Sequence, residues 1–198
     1  MMTRSTKVER KTKETDIVVQ LDIDQPGLID IQTGVPFFDH LLESAAFHGR
    51  VSLVVRASGD IHVDAHHVVE DTGIVIGDAL SRILAEQGPV DRFGHSVIPM
   101  DDALSEVTVD VSGRSYLAFE PSFPQSRVGS FDVALLREFF VAVVTHAKIT
   151  LHARLIHGAN SHHMAESLFK ALGRALKQAY APVHSEGAPG MSTKGAVR

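Results

Sequence analysis

The chain has 198 residues, a formal charge of −5, 44% hydrophobic and 22% charged residues, a balance that suits one folded domain or two halves on a shared core. The negative charge excludes a general attraction to nucleic acid or anionic membrane, and the absence of cysteine excludes disulfides, thiolate metal sites and cysteine nucleophiles. No apolar run approaches the ~20 residues that span a bilayer, and residues 1–13 are polar and basic, unlike a secretory leader, so a cytoplasmic location is expected.

Thr15 to Asp24 alternates and is rich in Ile and Val, which predicts a strand. Pro36 can open a helix, and Phe37, Leu41, Leu42, Ala45 and Ala46 give it an apolar face before Gly49 stops it. Arg50 to Arg56 reads as a strand and Asp64 to Glu86 as a helix, with Gly88-Pro89 as terminator. The order then recurs. Ser105 to Val111 and Tyr116 to Phe119 read as strands, Asp132 to His146 as a helix, and Lys148 to Ile156 as a strand. Ser161 to Tyr180 reads as a helix with Ser161 as its cap. Beyond Pro182 the composition turns to Gly, Ser, Pro and Ala, so 185–198 is expected to be a mobile tail.

Residues 66–80 align with 162–176 at an offset of 96, with six identities in 15 positions, including both His pairs and a Glu. Upstream the offset is 98: His48-Gly-Arg-Val-Ser-Leu matches His146-Ala-Lys-Ile-Thr-Leu, and Arg56 matches Arg154. These matches indicate an internal duplication, with residues 1–90 as the first half and 91–184 as the second.

The 12 histidines are dispersed rather than run together, and four of them form two copies of His-His-x-x-Glu: His66, His67 and Glu70, then His162, His163 and Glu166. Residues three or four apart on a helix share a face, whereas adjacent histidines point about 100° apart. The two histidines of a pair therefore serve different ions, and each ion can take one histidine from each helix plus one glutamate. Imidazole with carboxylate suits Mn, Fe, Co or Zn. A single helix histidine is ordinarily just a satisfied polar side chain; two motifs in register favour metal. At offset 98, His40 corresponds to Glu138 and His48 to His146, and either pair can supply a further ligand.

Arg92, Arg114 and Lys194 sit among turn residues, where a guanidinium or ammonium with nearby backbone donors suits phosphate. Glu14 and the pair Asp101-Asp102 are acidic groups next to strands. Beside a metal they can move protons or orient a ligand histidine.

Together the segments Lys13-Glu14-Thr15, Phe37-Phe-Asp-His-Leu-Leu with His48-Gly49, Asp64-Ala-His-His-Val-Val-Glu-Asp-Thr-Gly, Asp91-Arg-Phe-Gly, Ser112-Gly-Arg, Thr150-Leu-His, Asn160-Ser-His-His-Met-Ala-Glu and Ser192-Thr-Lys-Gly resemble the imidazoleglycerol-phosphate dehydratases of histidine biosynthesis. The resemblance runs in order over nearly the whole chain. It implies an α+β fold (ribosomal protein S5 domain 2-like): a duplicated half-domain with a four-stranded mixed sheet and helices on one face, the two halves packed together. It also implies a homo-oligomer of 24 subunits built from trimers, with active sites between subunits and two Mn²⁺ per site.

Carried over position by position, the resemblance implies His40, His66, His67, Glu70, Glu138, His162, His163 and Glu166 as metal ligands; many relatives have His where this chain has Glu138. It implies Glu14, His48 and Asp101 as catalytic residues. Glu14, His40, His48, Arg92, Arg114, Ser192, Thr193 and Lys194 would hold the phosphate substrate, the last three from the tail. The reaction implied is dehydration of imidazole glycerol phosphate to imidazole acetol phosphate, through a metal-bound imidazolate and a diazafulvene-like intermediate. Another binuclear metalloenzyme, hydrolysing phosphoesters or amides, and a metal-storage scaffold are the rival readings.

Overall fold

The structure, a computed structural model, describes residues 4–87 and 89–183. Its first six elements are β1 (Ser5–Lys11), β2 (Thr15–Asp22), β3 (Ile29–Gln32), α1 (Pro36–Gly49), β4 (Ser52–Gly59) and α2 (His66–Gln87). The remainder are β5 (Phe93–Met100), β6 (Ala103–Asp110), β7 (Tyr116–Phe119), β8 (Arg127–Val128), β9 (Phe131–Asp132), α3 (Leu135–Ala147), β10 (Thr150–His157) and α4 (Ser161–Ala179). Period-two alternation makes β2 a half-buried strand: Ile17, Val19 and Leu21 are buried, and Asp16 and Gln20 face water. Described residues include no helix long and apolar enough to cross a membrane.

The duplication is visible in the topology. One sheet has the order β1-β2-β4-β3 and the other β5-β6-β10-β7. In each, the first three strands are antiparallel neighbours and the last pair is parallel. Even an unusual backbone feature repeats: α1 and α3 end in non-glycine residues in the left-handed region, Arg50 (φ 52°) and Lys148 (φ 54°), at the same offset of 98. The expected α+β architecture of duplicated halves is present.

Five elements escape the sequence patterns, the two-residue strands β8 and β9 among them. β1 is an edge strand with mostly exposed side chains, and β5 an edge strand that buries Gly94 and Ser96 while exposing Phe93 and Val97, so they carry little apolar periodicity, and β3 has only four residues. The helix expected from Asp132 begins at Leu135 because Phe131–Asp132 pairs with Arg127–Val128. Ser161 is not the cap of α4. Asn160 caps it, accepting the backbone N–H of His162 at 2.9 Å, while Ser161 bonds Gln125.

Each helix finds its main helical partner in the other half: α1 packs on α4, and α2 on α3. Glycine sets how closely they approach. A Cβ on Gly173 would lie 2.1 Å from the carbonyl of Ala45 and 3.0 Å from the amide of Gly49; one on Gly77 would lie 2.8 Å from the carbonyl of Val143 and 3.0 Å from the amide of Ala147. Residues 143 and 147 are 45 and 49 displaced by 98, so the two helix pairs share one register. Between the sheets, Phe38, Phe139, Phe140 and Phe169 form a continuous aromatic core.

Gly173→Ala drives a methyl group into backbone of the partner helix, so it is expected to cost about 1–3 kcal/mol or more, with Gly77→Ala acting in the same direction. Urea unfolding measures this; unchanged midpoints for both variants would show that the helix pairs are not held at glycine-set distance.

Candidate metal centre

The amino end of α4 is fixed before any ligand is considered. Asn160 caps it, and Asp102, in the β5–β6 turn, accepts the amides of Ala159 and Asn160 at 2.6 and 3.0 Å. From this end His162 and Glu166 project on one face, as residues four apart must. Glu166 Oε2 lies 3.3 Å from His162 Nε2 and 3.0 Å from Nε2 of His40, which α1 brings alongside. These three side chains present ligand atoms all within 4.8 Å of one another. Phe37 packs its ring 4.9 Å from that of His162.

The chemistry of this cluster fits a divalent ion. Nε2 of His40 is buried and without a hydrogen-bond partner: it is close to Glu166 but not aligned for a hydrogen bond. An imidazole nitrogen stripped of water and left unpaired is costly, and a metal ion meets that cost. Burial pushes the Glu166 carboxyl up, but Lys170 (2.9 Å) and His40 outweigh it and hold it down to about 2. The carboxylate is therefore charged across the working pH range.

The same construction recurs on α2. Asp64 accepts the amide of His66 at 2.8 Å, as Asn160 does for His162, and His66 Nε2 lies 3.8 Å from Glu70 Oε2. The shared register places Glu138 of α3 against α2 where His40 of α1 stands against α4; its carboxylate is 3.6 Å from Arg137. Among the described residues one cluster of ligand atoms forms, between α1 and α4; the matched positions on α2 and α3 hold His66, Glu70 and Glu138.

The second histidine of each motif points elsewhere. The rings of His66 and His67 are at 90°, and those of His162 and His163 at 81°. His67 Nδ1 sits 3.0 Å from Asp60, and its Nε2 is 4.0 Å from Glu14 in the β1–β2 turn. His163 Nδ1 sits 2.6 Å from Asp102, and its Nε2 is 3.6 Å from Asp101 in the β5–β6 turn. In both cases a carboxylate on Nδ1 fixes the tautomer and leaves Nε2 for a ligand. The hydrogen bond to Asp60 raises the pKa of His67. The bond from His163, with two backbone amides, holds the Asp102 carboxyl well below the usual range.

The other expected residues divide by position. His48 shares an open groove with His40, Glu166 and Lys170, and burial, then Lys170 and Arg174, lower its pKa. His146 is bound to Asp78 at 2.9 Å; eight residues beyond Glu138, it is about 12 Å farther along its helix at 1.5 Å per residue, so it is not the further ligand. Arg92 is paired with Asp110 at 2.6 Å and adjoins the carboxyl end of α4 through Ala179. Arg114 follows in the turn after β6, where Ser112 bonds its amide. Both lie at the opposite end of β6 from Asp102, roughly 23 Å away by strand rise, so one chain does not bring them to its own His163. Ser192, Thr193 and Lys194 lie outside the described residues.

Sequence reasoning missed Asp60 and Lys170. Nothing local marks Asp60, whose role depends on the approach of β4 to α2. Lys170 was findable as a cation one turn beyond Glu166.

A family model for imidazoleglycerol-phosphate dehydratase matches residues 33–176. The imidazoleglycerol-phosphate dehydratase of Streptococcus mutans is 51% identical over 176 residues, 89% of this chain and 91% of that protein. That of Roseobacter denitrificans is 50% identical over 196 residues, 98% of this chain and all of its own. The crystal structure of the Staphylococcus aureus enzyme superposes with a TM-score of 0.82 at 40% identity, covering 90% of this chain and 99% of that one. The Pyrococcus furiosus enzyme gives 0.82 at 36%, covering 95% and 99%.

Asp60→Asn and Asp102→Asn leave the ligands in place but loosen their tautomers, so each is expected to weaken Mn²⁺ binding about 10–100-fold, measured by equilibrium dialysis. Because the folded pKa of His67 is raised, protons compete with metal from above pH 6.5 downward, and affinity falls as pH drops through that range. Affinity that is flat from pH 8 to pH 6, or unaltered in both variants, would contradict the assignment.

Proposed function

The chain belongs to the imidazoleglycerol-phosphate dehydratase family and is a hydro-lyase of histidine biosynthesis, and from that premise we propose that it works as a two-manganese enzyme with sites shared between subunits. The observation that carries this is the convergence of His40, His162 and Glu166 with an unpaired His40 nitrogen, beside second histidines turned away from it. One ion is held by His40, His162 and Glu166, the other by His66, Glu70 and Glu138. Each lacks a fourth protein ligand that His67 or His163 of a neighbouring subunit completes. The positions of Arg92 and Arg114 argue likewise for a shared site, since phosphate held there must face histidines of another copy. A 24-subunit assembly built from trimers is the form this reading takes.

When bound, two Lewis-acidic ions favour loss of the N–H proton from the substrate imidazole, so that the ring can expel the C3 hydroxyl through a diazafulvene-like form. The residues of the chain do the rest. Glu14, carried on the β1–β2 turn beside His67, takes the proton from C2 and returns it to the ring side. Its position is secured by the Thr15 hydroxyl bond to Asp71 of α2 and by the Asp60 amide on the Glu14 carbonyl. Asp101 occupies the matching place beside His163 and assists proton movement to the departing hydroxyl. Arg92 and Arg114, with Ser192, Thr193 and Lys194 and with His48 in the groove, hold the phosphate end and fix orientation.

Purified protein with Mn²⁺ is expected to convert imidazole glycerol phosphate into a product with enol-ketone absorbance and to release no inorganic phosphate. Glu14→Gln should cut kcat about 10²–10⁴-fold with metal content unchanged. Phosphate release would favour a phosphoesterase instead. Chelation should break the assembly into smaller species by light scattering; particles of full size after EDTA would contradict the shared sites.

A further inference from the structure

On the reading that the two clusters hold the two ions, we propose that they hold them unequally: the α2–α3 cluster is an oxygen-rich post for a hard divalent ion, and the α1–α4 cluster a nitrogen-rich post for a later transition metal.

The duplicated register makes the two clusters comparable residue by residue. The α1–α4 cluster offers His40, His162 and Glu166; the positions matched to them by register on α3 and α2 hold Glu138, His66 and Glu70. Two imidazoles and one carboxylate thus face two carboxylates and one imidazole. Carboxylate oxygen favours Mg²⁺ and Mn²⁺, and imidazole nitrogen favours Zn²⁺, Co²⁺ and Ni²⁺.

A second difference acts in the same direction. Lys170 Nζ lies 2.9 Å from Glu166 Oε1, so only Oε2 faces His40 and His162. At offset 96 the residue matching Lys170 is Ile74, which has no charge to place on Glu70, and both Glu70 oxygens remain for an ion. The carboxylates also differ in exposure: side chains of Glu70 and Glu138 are 43% and 34% exposed, that of Glu166 only 10%. A hard ion that retains bound water fits the more open post. Arg137 stands 3.6 Å from Glu138 but is 62% exposed, so solvent screens its pull.

The test is metal exchange on the assembled full-length protein. The protein is loaded with Mn²⁺, freed of excess, and titrated with Zn²⁺, while bound metals are measured by elemental analysis and released Mn²⁺ by its electron paramagnetic resonance signal. One of the two Mn²⁺ per chain is expected to leave at about tenfold lower zinc than the other, following the preference of imidazole-rich sites for zinc. Glu138→His should bring the two midpoints together, and Glu138→Gln should release the retained Mn²⁺ earlier. A single midpoint in the unaltered protein, or a split that both variants leave unchanged, overturns the inequality while leaving the two-ion site standing. Failure to take up Mn²⁺ at all overturns the site itself and the inequality with it.

Discussion

Adjacent residues on a helix point about 100° apart, so a His-His pair cannot close on one ion. Every other feature of the site follows from that divergence. The first histidine of each pair lies beside a glutamate one turn on, and His162 also meets His40 of the neighbouring helix. The second is held at Nδ1 by a carboxylate, Asp60 after β4 or Asp102 in the β5–β6 turn, with its Nε2 toward Glu14 or Asp101. One chain therefore gathers His40, His162 and Glu166 at one place and turns His67 and His163 away from their neighbouring histidines. On the proposed reading, helix geometry leaves each half-site incomplete, and a second copy completes it.

The helix pairs must then be held in fixed register. Gly49 and Gly173 allow α1 and α4 to approach backbone to backbone, and Gly73 and Gly77 do so for α2 and α3. The sheets position the turns. Residues after β1 and β5 carry Glu14 and Asp101 to corresponding places beside His67 and His163, although the two hairpins have different lengths. Duplication has preserved the helix register here more strictly than identity: Glu138 stands for His40 and Ile74 for Lys170, so matched positions of the two halves are chemically unlike.

Much of this was legible in the residues. The His-His-x-x-Glu repeats, their offset and the pairing of His40 with Glu138 are local patterns on helices, where spacing translates directly into a shared face. Strand β2 and all four helices also declared themselves by periodicity. What the chain order concealed depends on tertiary placement. No spacing shows that α1 rather than α2 comes to lie beside α4, or that Asp60 reaches His67 across a turn. The cationic turns at Arg92 and Arg114 are recognisable in the sequence, but that strand direction puts them at the far end of their sheet from Asp102 is not. The capping role falls to Asn160 rather than Ser161 because a side-chain amide oxygen reaches the second helical amide while the serine hydroxyl is occupied by Gln125.

The central claim is that each ion is held by one helix pair of a single chain and completed by the second histidine of another. Anomalous diffraction from crystals grown with Mn²⁺ tests it most directly. Two peaks per chain are expected, one touching His40, His162 and Glu166 and the other His66, Glu70 and Glu138, each with a His67 or His163 from a second copy. A peak shared by His66 and His67 of the same chain, or ions held by one chain without a second, would contradict it.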